Sequence, residues 1–336
     1  LYFSDDVDTG IYSPSNGQIA FSTNGTERFK IDEDGAITFT GELAFSDAQL
    51  NTVIGTNAGN SFTGTDASSN TLIGYDAGTA ITSGDYVTAV GAYALAANTA
   101  NDSTAVGYVS LYSNTSGARN TALGRGSLTA NITTHDNTGL GYYALNANTS
   151  ADNTGVGSYC LSTNTTGEDN TALGYAALYT NVDGDKNTAV GYKALYANTA
   201  GNNTAVGWEA GGDNTSGTGL TAVGQNAAHE QTTGDSNTAI GNTALYWNHH
   251  GDRNTAVGAE AGYSYNPPDD GSGDNTFVGY RAGYDSYAGA SHNTHIGSNA
   301  AKVGSSGLYN TSVGSHAFYS NQDGDYNVAI GYKALY

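Results

Sequence analysis

The residues best equipped for chemistry are few and widely spaced. His249 and His250 stand beside Asp252, and His292 lies three residues before His295, so each group offers imidazole nitrogens to a metal ion. Neither group has a cysteine or a further histidine cluster near it, and both read as solvent-facing turn residues. Carboxylates recur instead with the turns, as in Asp183, Asp185, Asp235, Asp323 and Asp325. A glycoside hydrolase needs two carboxyl groups held across a cleft, whereas Asp in a turn is explained by its local hydrogen bonding. The reading is therefore non-enzymatic, with no catalytic residue and no cofactor. A structural calcium fits acidic turns that converge from stacked coils, although the glycine-rich nonapeptide of calcium-binding repeat proteins is absent. Cys160 is the one cysteine, so no intrachain disulfide forms, and it reads as a small apolar residue at an alanine-type position. Trp208, Trp247 and the many tyrosines have faces that stack on sugar rings or on one another.

What must position these groups is an internal repeat. NTAVG, or a near copy of it, returns about every 17 residues from Asn51 onward, marked by Gly55, Gly74, Gly91, Gly107, Gly124 and so on to Gly314 and Gly331. The unit reads N-T-A-V-G-Y-x-A-L-x-x-N-x-x-G, as in Asn187 to Gly201. Its apolar patches are three to five residues long, which suits short strands and excludes helical repeats. Alternation along an extended chain places Thr188 and Val190 on one side and Ala189 on the other. The bulkier Val190, with Leu195 from the second patch, is expected inside. Two strands and two bends per coil then stack as an all-β parallel solenoid, with Gly191 and Gly184 permitting bends and Asn198 and Asp185 bonding to turn backbone. At about 4.8 Å per coil the array is a rod roughly 80 Å long.

Composition agrees. The chain has 47 Gly, 3 Pro and only 12% charged residues, and its net charge of −21 leaves 10 scattered basic side chains, which excludes nucleic acid and anionic membrane surfaces as partners. No apolar run approaches the 18 residues of a membrane span. So thin a coil leaves alanine and tyrosine surface in water. The tyrosines fall in register, after the glycine (Tyr75, Tyr108, Tyr142, Tyr175, Tyr192) or after the leucine (Tyr112, Tyr179, Tyr196, Tyr246). Registered columns of Ala and Tyr point to self-association. The chain lacks Met and stops within a repeat at GYKALY, so a longer parent protein is expected.

The N-T-A-V-G unit resembles the S-V-A-I-G head repeats of trimeric autotransporter adhesins. That resemblance implies a left-handed parallel β-roll packed three chains to an axis, here with a longer unit. The segment Asp8 to Gly41 is similar to a module of bacteriophage tail fibres and tailspikes, which often precedes a self-cleaving chaperone domain; such a domain would lie beyond Tyr336. Its residues read as strands Gln18 to Ser22 and Glu27 to Ile31, joined by Asn-Gly and Asp-Gly turns.

The expected organisation is thus a short β module at 1–46 and a β-roll array at 47–336. The expected function is a homotrimeric phage tail fibre in the virion tail, outside the cell, meeting other tail proteins and a host-surface glycan or protein. A cellular trimeric adhesin and a polysaccharide-degrading tailspike are the alternatives. Threonine columns also occur on ice-binding surfaces, but those present paired outward threonines, and here Thr is followed by Ala and Val. Receptor contact is assigned to the two places where the repeat is interrupted, through Tyr265, Asp269, Asp270, Tyr287 and His292, because insertions in a solenoid project from one face.

Overall fold

The computed structural model describes residues 2–3, 6–24, 26–39, 49–62, 66–265, 273–286, 289–304, 306–320 and 324–336. The chain divides into two compact units, Leu1–Ala48 and Gln49–Tyr336. No helix occurs among the described residues, so none is long and apolar enough to cross a membrane.

The first unit is an antiparallel meander of β1 (Tyr2–Phe3), β2 (Asp6–Tyr12), β3 (Ile19–Thr23), β4 (Thr26–Ile31) and β5 (Ile37–Phe39). Turn chemistry sets its register. Asn24 takes φ 52° between β3 and β4, while between β4 and β5 Asp32 Oδ1 accepts the N–H groups of Asp34 and Ala36 and Gly35 takes φ 80°.

The second unit is a parallel solenoid. Each coil contributes one three-residue strand, from β6 (Thr52–Ile54) to β22 (Val328–Ile330), and each strand pairs in parallel with those of the coils before and after it. In β14 (Thr188–Val190) and β15 (Thr204–Val206) the partners are Thr188↔Thr204, Ala189↔Ala205 and Val190↔Val206. The pairs run in chain order and none joins β22 back to β6 among the described residues, so this is an open stack rather than a closed barrel.

Two expectations are corrected here. The second apolar patch is not a strand. Residues 192–197 form a run of turns in which Lys193 and Leu195 take φ 52° and 50°, a left-handed conformation that costs a non-glycine residue about 1–2 kcal/mol. Burial of the Leu195 side chain, worth about 1.5–3 kcal/mol, offsets that cost, as does the bonding between coils. Lys193 N–H donates to Tyr175 O in the preceding coil, and Leu195 N–H to Ala210 O in the following one.

The strand register is also inverted relative to the expectation. Ala189 is fully buried, whereas Thr188 and Val190 are half-exposed, and the same pattern repeats from coil to coil. The interior is too narrow for a branched side chain over the strand. Even at Gly155, an added Cβ would stand 3.0 Å from Cys160 Sγ and 3.2 Å from Leu145. Two of the larger inward residues, Leu72 and Phe277, occur where glycine replaces the leucine. Gly262 and Gly283 make room for Phe277, and Gly78 for Leu72 and Ile81.

The rest of the interior is asparagine. Asn187 Oδ1 accepts the Asn203 N–H at 2.9 Å while its Nδ2 donates to Ala200 O at 2.8 Å, and the same link joins Asn170 to Asn187 and Asn293 to Asn310. A second column passes through Asn98, Asn114, Asn148, Asn164, Asn198 and Asn214, with side-chain amides bonded between coils at Asn114–Asn98, Asn164–Asn148 and Asn214–Asn198. Asn198 bonds to its own turn backbone as expected, its Nδ2 donating to Ala200 O at 2.7 Å, and does so fully buried. These amides satisfy backbone groups that a three-residue strand leaves over.

Candidate functional site

The inward turn of alanine fixes what the rod shows to its surroundings. Each strand from β6 to β21 (Thr311–Val313) presents a threonine and a β-branched or leucine side chain outward, with Val328 in the threonine's place in β22, and Ile54, Leu123, Leu173, Val206, Ile240, Val257 and Ile296 are all well exposed. Parallel register aligns them in one apolar stripe. Thr and Val therefore share the outer face, one threonine to a strand from β6 to β21.

The turn segment carries the aromatics. Tyr175 and Tyr192 stack at 5.5 Å between centroids, and Tyr192 stacks on Trp208 at 4.1 Å. In the column after the leucine, Tyr179 lies on Tyr196 at 5.3 Å, and Tyr246, Tyr263 and Tyr284 continue the stack farther along. Where columns diverge, open grooves form. One of about 550 Å³ is lined by Asp76, Tyr93, Tyr112, Thr115 and Ile132; another of about 390 Å³ lies among Tyr159, Tyr175, Tyr179, Lys193 and Tyr196. Aromatic walls with a few polar groups suit the faces and hydroxyls of a sugar.

Four of the turn aspartates bond between coils, while Asp183 is exposed. Asp185 Oδ1 accepts the Glu168 N–H, Asp235 Oδ1 accepts the Thr218 N–H and hydroxyl, Asp252 Oδ1 accepts the Asp235 N–H, and Asp325 Oδ1 accepts the Leu308 N–H, each 17 residues apart. Asp185 thus bonds to the neighbouring coil's turn rather than within its own. Asp323 lies outside the described residues. Arginine bridges three further acid positions on adjacent coils, as Arg119–Asp136, Arg253–Asp274 and Arg281–Glu260, each at 2.7 Å. The Arg253 hydrogen bond holds the Asp274 carboxyl below the usual carboxylate range.

Of the residues assigned to receptor contact, Tyr265 and His292 are among the described residues. Tyr265 is fully buried against Phe277, 5.9 Å between ring centroids, because the glycines facing that ring open the interior; it is a core residue. Asp269, Asp270 and Tyr287 lie outside the described residues. His292 is exposed, 3.6 Å from Asp274 and stacked at 4.8 Å on Tyr309. Its sequence neighbour His295 points inward on β20 (Thr294–Ile296), where Nδ1 meets Ser312 Oγ at 2.9 Å and burial pushes its pKa down to about 4. His250 Nδ1 bonds to Thr233 Oγ1, and the His249 ring packs edge-on to Trp247. Cys160 sits buried in the alanine column, its Sγ 3.0 Å from Gly157 O. Among the described residues, the group that gathers imidazole and carboxylates is Asp213, His229 and Glu230, which no local motif announces. The signal for it is the repeat itself, since Glu230 follows Asp213 by one 17-residue period.

Comparison of the chain with protein-family models, with curated proteins and with solved structures finds no match in any of the three.

Proposed function

We propose that this chain is a structural and adhesive segment of a phage tail fibre, assembled as a homotrimer, which holds or forms the host-binding region without cutting its receptor. The observation that carries the reading is the outward stripe of β-branched side chains along the strand ladder. A face three residues wide and 17 coils long is about 10 Å by roughly 80 Å, or about 800 Å² per copy, the size that stable protein interfaces bury on each partner. Copies of the same rod supply the same face at the same spacing. The tyrosine grooves between Tyr93 and Tyr112 and between Tyr175 and Tyr196 repeat along the rod and favour a host-surface glycan as the ligand. A phage origin rests on the likeness of Asp8 to Gly41 to tail-fibre modules; the repeat by itself fits a cellular trimeric adhesin equally well.

Antibody raised against the purified rod separates these homes by electron microscopy. Gold at the tails of virions supports the proposal, and gold on cell envelopes transfers the rod to the adhesin reading. Incubation with host envelope polysaccharide is expected to give binding with no growth in reducing ends. Steady fragment release abolished by one carboxylate substitution would make the protein a tailspike enzyme.

A further inference from the structure

The turn segments that follow β15 and β16 (Thr221–Val223) bring four chemistry-bearing side chains together. Glu209 and Asp213 come from one coil, and His229 and Glu230 from the next. His229 Nδ1 lies 3.3 Å from Glu230 Oε1 and 4.0 Å from Asp213 Oδ2, and its Nε2 lies 3.7 Å from Glu209 Oε2. Although closely surrounded, Nδ1 is buried and makes no hydrogen bond. A buried ring nitrogen left unpaired is costly unless something else occupies its lone pair.

The spacing says what would. Two ligands each about 2.0–2.1 Å from a tetrahedral cation stand about 3.3 Å apart, too far for a direct hydrogen bond and close to the Nδ1–Glu230 separation. The other ring nitrogen faces the Glu209 carboxylate across 3.7 Å, beyond hydrogen-bond reach but close enough for its charge to bias the ring's orientation. Tyr246 stacks on the imidazole at 5.4 Å with planes 6° apart and sets its orientation. The backbone beneath is fixed as well, through Asp213 N–H to His229 O and Glu230 N–H to Tyr246 O.

Charge points the same way. Asp213 and Glu230 occupy equivalent positions in adjacent coils, where like charges repel. At some other places on the rod an arginine meets an acid of the next coil, as at Arg253–Asp274. Here, among the described residues, no Lys or Arg nitrogen lies within ion-pair distance of either carboxylate. We propose that Asp213, His229 Nδ1 and Glu230 bind one divalent transition cation per chain, of the zinc class, with Glu209 as the positioning residue on Nε2. Such an ion would clamp two neighbouring coils. The nitrogen ligand favours zinc-type cations over calcium.

The test uses the full chain, free of any affinity tag and stripped with chelator, titrated calorimetrically with zinc. One ion per chain is expected at micromolar or tighter affinity, with a rise in Tm. His229→Phe keeps a ring on Tyr246 and should fold by circular dichroism while losing the site. Glu209→Gln should bind about 10-fold more weakly, and the His249→Ala/His250→Ala double variant should bind as the parent does. Cobalt is expected to give a visible absorption band that His229→Phe abolishes. Absence of zinc binding in the parent, binding that survives His229→Phe, or binding lost only with His249 and His250 would each overturn the proposal.

Discussion

A Cβ placed on Gly191 would stand 2.2 Å from the carbonyl oxygen of Gly207, directly across the step between two coils. Gly191 also holds φ 137°, which L side chains rarely adopt. The same approach recurs at Gly174 over Gly191 and Gly207 over Gly224, so the marker glycine is what lets the coils close to sheet spacing. Gly191→Ala should cost about 2–4 kcal/mol, read as a lower denaturant midpoint. Gly331, with φ 120° and nothing within 4 Å of its Cβ direction, carries the strain without the clash. Gly331→Ala should therefore cost clearly less, and equal losses would refute the clash.

The asparagine column makes a sharper demand. Asn187→Ala removes the acceptor for Asn203 N–H and the donor to Ala200 O, both inside the rod. A loss of about 2–4 kcal/mol is expected. Asn187→Asp should be worse, since it sets a carboxylate oxygen against the Ala200 carbonyl. Thermal unfolding of the two variants in parallel orders them, and an Asp variant as stable as the parent would place Asn187 outside the core.

His295 gives stability a pH dependence of known sign. Its pKa falls from 6.5 to about 4 on folding because burial penalises the charged ring. Folded His295 stays neutral where the unfolded chain takes up a proton, so the contribution is complete above pH 6.5 and is lost as pH falls toward about 4. The full loss is about 3 kcal/mol. Denaturant titrations from pH 7 to 4 should show it, and His295→Leu should flatten that slope. A slope unchanged in the variant would assign it to other groups.

Cys160 should be inert. Burial raises its thiol to about 12, so the thiolate that reacts with disulfide reagents is scarce. Labelling by a thiol reagent is expected only on unfolding, and Cys160→Ala should leave Tm within a few degrees, since alanine holds that column elsewhere, as at Ala177 and Ala194. Prompt labelling of the native chain would contradict its placement.

The repeat and its glycines made the parallel solenoid legible in the sequence, because a period near 17 with three-residue apolar patches admits few other folds. Alternation also paired Thr188 with Val190 correctly, but alternation names two faces without saying which is inside. The bulkier residue was the natural choice for the core. It fails because Leu195 and the two asparagine columns already fill the interior, leaving room for one methyl above most strands. The turn bonding of Asn198 was legible, but its burial was not, since only stacking supplies the partners that let an asparagine go inside. The His229 group was invisible to a search for local motifs because its ligands are one coil apart.

The central claim is that the outward face of threonine and valine side chains is where copies of this chain meet. The most direct measurement is the mass in solution, by light scattering, of the parent and of the Val190→Asp/Val206→Asp double variant. The parent should weigh about three times 34.3 kDa. The variant, with its charges on exposed positions, should keep its β circular dichroism while falling toward the mass of one chain. A parent that is monomeric at micromolar concentration, or a double variant that assembles as the parent does, would contradict the claim.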